Sequence, residues 1–307
     1  MRARAMKWRK LGRIFQPDNQ QPWMRSHAAN PVAEHRGGDV CRVYFGARDE
    51  KNRTSIGWLE IDLRRPTQVL RLAAQPVVAP GTAGVFDDSG ASMGCLVAAP
   101  GGARHLYYVG WNLAVTVPWR NSIGLAISAG ADAPFEKYSP APVLDRSRTD
   151  PYSLSYPSVL RDGPAWRMWY GSNTSWGAKR EDMLHVIKYA ESGDGKQWTP
   201  GEGIAVDLRA GAELALSRPC VLKENGRYRM WYSVRGATYR IGYAESSDGR
   251  HWTRDDQAAG IGVSESGWDS ESVAYPHVFD HAGARYMLYN GNGYGKTGFG
   301  LAVLEAG

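Results

Sequence analysis

An all-β chain closed into a ring of small sheets is predicted by three observations in this 307-residue sequence. An aromatic strand core recurs five times, as Val43-Tyr44-Phe45-Gly46, Leu106-Tyr107-Tyr108-Val109, Arg167-Met168-Trp169-Tyr170-Gly171, Arg229-Met230-Trp231-Tyr232-Ser233 and Met287-Leu288-Tyr289-Asn290. The copies lie about sixty residues apart, a period that assigns a sheet, not a single strand, to each repeat. After each core comes a short polar interval and a further strand, seen most clearly in Ile241-Gly242-Tyr243. Finally, no segment longer than about ten residues keeps a 3.6-residue apolar period, so helix content should be low. Sheets that are aromatic on both faces need a neighbour on each side, and radial stacking supplies one while leaving only short edges. The expectation is a five-bladed β-propeller with blades of mostly four antiparallel strands, a single domain over residues 1–307.

The elements follow in order. Residues 8–15 carry Trp8, Leu11, Ile14 and Phe15 and read as a strand ahead of the first repeat. The third repeat ends in Ser192-Gly193-Asp194-Gly195-Lys196-Gln197-Trp198. In the fourth, residues 217–223 form a strand, Glu224-Asn225-Gly226 a hairpin turn, 227–234 a second strand and 238–245 a third. Ser246-Ser247-Asp248-Gly249-Arg250-His251-Trp252 then closes that unit, with Trp252 placed to pack between sheets. The fifth repeat has strands at 275–279, 285–289 and 298–304 and then stops, so residues 8–15 are expected to supply its fourth strand and lock the ring.

The formal charge is +6, but 37 Lys and Arg are interspersed with 31 Asp and Glu except where Arg2, Arg4, Lys7, Arg9, Lys10 and Arg13 crowd together. On a closing strand those residues form a solvated edge, so neither nucleic acid nor membrane insertion is expected. Cys41, Cys95 and Cys220 lack metal-ligand spacing and sit beside apolar residues, as buried free thiols of a reducing compartment do. No signal-peptide core and no membrane-length apolar run occurs, which points to the cytoplasm.

In a propeller the first strand of each blade borders the central channel. Pro31, Pro157, Pro219 and Pro276 stand at like distances before their aromatic cores, with Gly94 in the comparable place of the second repeat. Just upstream lie Arg25 and His27, Asp87 and Asp88, Asp150, Glu213, and Asp269 and Glu271. Asp at a loop-to-strand entry is often a turn residue, a reading that suits Asp87, Asp150 and Asp269. Asp88, Glu213 and Glu271 lead directly into first strands. Carboxylates crowded at one channel entrance are what separates an acid from a base. The ends of the second strands add Arg48, Asp49, Trp111, Asn112, Asn173, Trp176, Arg235 and Asn290, while Arg218 and Tyr275 precede two of the prolines. Amides, guanidinium forks and aromatic faces at one rim suit a hydroxyl-rich or anionic ligand. The histidines form no local cluster, Gly295-Lys296-Thr297 lacks phosphate-loop spacing, and no nucleophile elbow occurs, so no metal or cofactor is called for.

The repeated Tyr-Ala-Glu-Ser…Asp-Gly…Trp unit at 189–198 and 243–252 resembles the five-bladed propeller glycoside hydrolases: the arabinanase and β-xylosidase, invertase and levansucrase, and mannoside hydrolase and phosphorylase groups. The resemblance spans nearly the whole chain. It implies acid/base chemistry on a glycosidic bond, with Glu213 as general acid, Asp88 as base and Glu271 as a competing base or 2-hydroxyl partner. Arg25, His27, Arg48, Asp49, Trp111, Asn112, Asp150, Asn173, Trp176, Arg218, Arg235, Tyr275 and Asn290 would bind a carbohydrate or glycoconjugate, including one that is anionic or accompanied by phosphate. Where the invertase group has Trp-Met-Asn-Asp-Pro, this chain has Trp23-Met24-Arg25-Ser26-His27, without the acid. A phosphorylase or transglycosylase, and a non-catalytic binding propeller, are the alternatives.

Overall fold

The computed structural model describes residues 6–179 and 182–305. Among these residues the regular elements are strands and 3-10 turns of three or four residues. Strand β1 (Trp8–Phe15) is followed by blade one, made of β2 (Ser26–Gly37), β3 (Val40–Arg48), β4 (Thr54–Asp62) and β5 (Val69–Leu72). Blade two contains β6 (Gly90–Ala98), β7 (Arg104–Leu113), β8 (Trp119–Ser128) and β9 (Glu136–Lys137). Blade three contains β10 (Leu154–Asp162), β11 (Ala165–Ser175), β12 (Leu184–Ser192) and β13 (Thr199–Val206). Blade four contains β14 (Ala215–Glu224), β15 (Arg227–Arg235), β16 (Tyr239–Ser246) and β17 (Thr253–Arg254). The last meander is β18 (Ala274–His281), β19 (Ala284–Asn290) and β20 (Phe299–Leu304), and β1 pairs antiparallel with β20.

Packing makes these meanders a ring. First strands touch in cyclic order, β2 on β6, β6 on β10, β10 on β14, β14 on β18 and β18 back on β2. The apolar interior is divided accordingly into five clusters, one at each blade interface. Tyr44 and Tyr108 meet between blades one and two, Tyr107 and Met168 between two and three, and Trp169 and Tyr232 between three and four. Trp231 and Tyr289 meet between four and five, and Phe299 and Phe45 between five and one. This is why both faces of every repeat are aromatic: each face is half of a core.

The closing turns of blades three and four reach into their neighbours. Asp248 Oδ1 accepts from Arg250 N and His251 N, and the Gly249 carbonyl accepts from Trp169 Nε1 of blade three at 2.7 Å. Gly195 does the same for Tyr107 Oη of blade two at 2.6 Å. Trp252 packs edge-on against Trp169. The hairpin at Asn225 and Gly226 has both residues at positive φ, 48° and 76°, as a primed turn matched to strand twist needs. Strand β14 runs past residues 217–223 at both ends, because Ala215 pairs with Arg235 and Glu224 with Arg227.

Lys7 and Lys10 of the basic N-terminal cluster pair with Glu305 and Asp269, and Arg13 donates to the Thr297 carbonyl. Arg2 and Arg4 lie outside the described residues. The three cysteines are buried and free. Among the described residues no helix is long and apolar enough to cross a membrane, and no group of three or more His, Cys, Asp or Glu is arranged to hold a metal ion.

Candidate functional site at the channel mouth

Antiparallel register merges the two expected rings of residues into one rim. The start of each first strand pairs with the end of its second strand: Ser26 with Arg48, Gly90 with Trp111, Leu154 with Ser172, Ala215 with Arg235 and Ala274 with Asn290.

A few residues below the rim every first strand carries a register shift. In four blades the residue before the proline takes positive φ: Asn30 at 56°, Tyr156 at 37°, Arg218 at 54° and Tyr275 at 56°. Left-handed backbone is unfavourable for non-glycine residues, yet it recurs at the same place in four of the blades. Two of these side chains meet across the channel. Tyr156 of blade three and Tyr275 of blade five, which are not adjacent blades, bring their rings within 5.8 Å. Tyr239 and Tyr294 extend this patch, at 5.8 and 5.2 Å along the series. Sequence reasoning singled out Tyr275 and Arg218 but missed Asn30, Tyr156, Tyr239 and Tyr294. The signal for the first two was present, one residue before each proline.

A second recurring device holds the entry loops. Asp150 is fully buried and accepts from Tyr170 Oη at 3.1 Å, from Ser172 Oγ at 2.5 Å and from Lys188 Nζ at 3.1 Å. Asp87 accepts from Tyr108 Oη and Lys137 Nζ, and Asp269 from Tyr289 Oη and Lys10 Nζ. Burial, reinforced by the adjoining carboxylate, pushes these three phenols far up, so each stays a donor. Blade four builds the equivalent from Tyr232, Asp256, Arg254 and Glu213. Blade one has Phe45 in the tyrosine's place. Asp150 therefore anchors its loop with both oxygens occupied and offers no carboxylate to a ligand.

The three carboxylates expected to do chemistry are held in different ways. Glu213 points toward the outer strand β17, where Arg254 takes both its oxygens, and its side chain is 8% exposed. Asp88 is half-buried at the start of β6. The backbone N–H of Gly84, with the Asn112 amide and the Ser89 hydroxyl, holds its carboxyl below the usual carboxylate range. Glu271 is exposed, its loop pinned by Asn292 Oδ1 on its own N–H and by Arg240 on its carbonyl. Among the described residues no hydrogen bond or ion pair joins the three.

Several expected ligand residues instead hold the ring. Asn290, fully buried, donates to the Ala28 carbonyl and accepts from Asn30 N, stapling blade five to blade one. Trp111 Nε1 donates to Thr54 Oγ1, joining blades two and one, and Asp49 caps its own turn through Lys51 N and Arg53 N. Asn173 Nδ2 and Trp176 Nε1 are buried without a protein acceptor, and Trp176 stands edge-on to Trp119. Arg235 is buried at the end of β15. The blade-one rim is basic. Burial, with Arg48 and Lys296 nearby, lowers His27 to about 4. Arg25 is exposed and donates to Asn19 Oδ1, and Arg48 to Asn52 Oδ1.

Two mycobacterial proteins match this chain along its length. The uncharacterized protein Rv1502 of Mycobacterium tuberculosis strain H37Rv and the uncharacterized protein MT1551 of strain CDC 1551 are each 52% identical over 300 residues, 98% of this chain and 100% of theirs. The chain belongs to their family. No family model matches it. Its fold is shared with solved structures of far lower identity. A glycosyl hydrolase from Bacteroides ovatus has a TM-score of 0.72 at 14% identity, covering 97% of this chain and 93% of that one. A structure from the GH130 mannoside phosphorylase family, described as containing hydrolases of β-1,2 mannosidic linkages in Candida mannan, has 0.72 at 14%, over 99% and 95%. A thermostable family-43 glycoside hydrolase has 0.64 at 15%, over 95% and 91%. The propeller implied by the repeat unit is thus a fold this chain shares with those solved structures.

Proposed function

We propose that this protein binds a carbohydrate at the channel mouth and cleaves or transfers a glycosyl group there. The channel mouth supports this reading: it combines the carboxylate of Asp88, the amide of Asn173, whose Nδ2 has no protein acceptor, and the half-buried rings of Tyr156, Tyr239 and Trp176. Aromatic faces cover sugar C–H surface while amides fix hydroxyls, and the fold likeness to glycoside hydrolases agrees with both.

The roles differ from those the resemblance implies. A general acid must release a proton to the leaving oxygen, and Glu213, committed to Arg254 through both oxygens, is poorly placed to do so. Asp88 keeps the part of base for the attacking water, since three donors favour its charged form. Glu271 is the remaining exposed rim carboxylate and takes the acid's part. The basic surround of His27, with Arg48 and Lys296, favours a second version in which phosphate replaces water and the product is a glycosyl phosphate.

The test is turnover of the full chain on a panel of oligosaccharides and glycoconjugates, with and without phosphate, read as new reducing ends or glycosyl phosphate. Saturable binding with no product from any member would leave a binding propeller and remove the enzyme reading.

A further inference from the structure

Among the described residues, no group neutralises the charge that Arg218 holds at the centre of the ring. Arg218 lies on the bulge of β14 and is 1% exposed. All five first strands contribute to its surroundings. Its Nη2 donates to the Pro31 carbonyl of β2 over a long 3.4 Å, and its Nε has no acceptor. The groups acting on it electrostatically are Cys220 of β14, Cys95 of β6, Tyr156 of β10 and Tyr275 of β18. His277 of β18 stands close enough to feel its charge.

None of these groups carries a compensating negative charge at neutral pH. Burial pushes the Cys95 thiol up to about 12 and also raises Cys220. Burial, then Arg218, lowers His277 to about 3, leaving the ring uncharged. Among the described residues no carboxylate is paired with Arg218. A guanidinium does not escape desolvation by losing its proton, and a buried ion left unpaired is among the costliest arrangements a fold can hold. The strained φ of 54° at Arg218 adds to that cost. Packing does not require it, because blade two closes the same position of its own strand with Met93 and Gly94 at ordinary φ.

We infer that a small anion completes this centre, held by Arg218 on the propeller axis beneath the channel mouth. Its chemistry is that of a halide or an oxyanion, and an oxyanion comes either free, as phosphate, or as the carboxylate of a sugar seated on the rim. Tyr156, one of the groups acting on Arg218, is half-buried, and the anion would enter beside it. The inference goes beyond the proposed reaction and stands without it.

Bromide is the first probe. Crystals of the full chain soaked in bromide should show an anomalous peak beside Arg218. At constant ionic strength, balanced with methanesulfonate, bromide at about a hundredfold above its Kd should raise the melting temperature by about 4 °C, and by about 2 °C more for each further tenfold. Arg218→Met should lose that shift, and should it fail to fold, Arg218→Lys and the wild-type titration carry the same comparison. Displacement of bromide by phosphate assigns a free oxyanion. Displacement by glucuronate, with glucose as the neutral control, assigns a sugar carboxylate, and retention against both assigns a resident halide. A melting temperature that follows ionic strength alone, with no peak at Arg218, overturns the inference whether or not turnover is ever found.

Discussion

Arg254 grips Glu213 through two hydrogen bonds, Nη1 to Oε2 at 2.9 Å and Nη2 to Oε1 at 2.8 Å, and also reaches Asp256 at 2.6 Å. This ties the entry loop of blade four to its outermost strand. Breaking one partner of a largely desolvated pair leaves the other charged and underpaired, which is where its main cost arises. Glu213→Gln is therefore expected to lose about 2 kcal/mol in denaturant unfolding, softened by Asp256, while kcat changes little. A Glu213→Gln protein that unfolds like wild type yet loses turnover more than tenfold would return the acid's role to Glu213.

Asp88→Asn should behave in the opposite way. Asn112 and Ser89 can still bond the amide, so stability should fall by only about 1 kcal/mol, whereas a missing general base costs about a hundredfold or more in kcat. The pH profile carries a second signature. A base works when ionised, so activity is lost as pH falls through its pKa. Because the Gly84 backbone N–H and its companions lower that pKa, the acid limb of kcat/KM should lie below the ordinary carboxylate value of about 4. An acid limb near 6 would assign the base elsewhere.

The architecture was legible because it is written in local signals. The aromatic pairs give the period, Asn225-Gly226 gives a hairpin, and residues 8–15 give the closing strand at the bounds observed. The site was only half legible. Asp88, Asp150 and Glu213 look alike as acids entering first strands, and what separates them is the cation reached across the blade: Lys188 for Asp150 and Arg254 for Glu213, 38 and 41 residues away. Such pairings depend on how β12 and β17 lie beside the entry loops, and no local pattern encodes that. Tyr156 and Tyr275 illustrate the same limit, since their contact crosses the channel between non-adjacent blades.

His277 predicts a pH-dependent stability. Its Nε2 is shut off from solvent without a partner, and burial followed by the Arg218 charge lowers its pKa from 6.5 to about 3. The unfolded chain therefore binds a proton that the folded chain does not anywhere between those values. Stability contributed by the neutral ring is fully present above about 6.5 and is lost as pH falls toward about 3, with a slope of up to about 1.4 kcal/mol per pH unit. His277→Leu should flatten this part of the curve by one proton's worth when unfolding free energy is measured from pH 7 to pH 4. An unchanged slope would mean that the ring is protonated in the folded state.

Ring closure rests on a strand with one buried attachment of unusual kind. Besides its ladder with β20, β1 sends Lys10 to Asp269 at 2.6 Å, and that carboxylate, 2% exposed, also accepts from Tyr289. Lys10→Met keeps the side chain's apolar stem but leaves Asp269 with the phenol alone, so a loss of about 3 kcal/mol is expected. The effect should be local as well as global. Amide exchange in residues 8–15 and 299–304 should quicken before that of β7 or β11, since opening the closure exposes the interface between blades five and one first. Tyr289→Phe removes a hydrogen bond but spares the ion pair, and should cost about 1 kcal/mol without selective exchange in β1. Equal exchange in all blades of the Lys10 variant would show that the closing strand is no weaker than the rest of the ring.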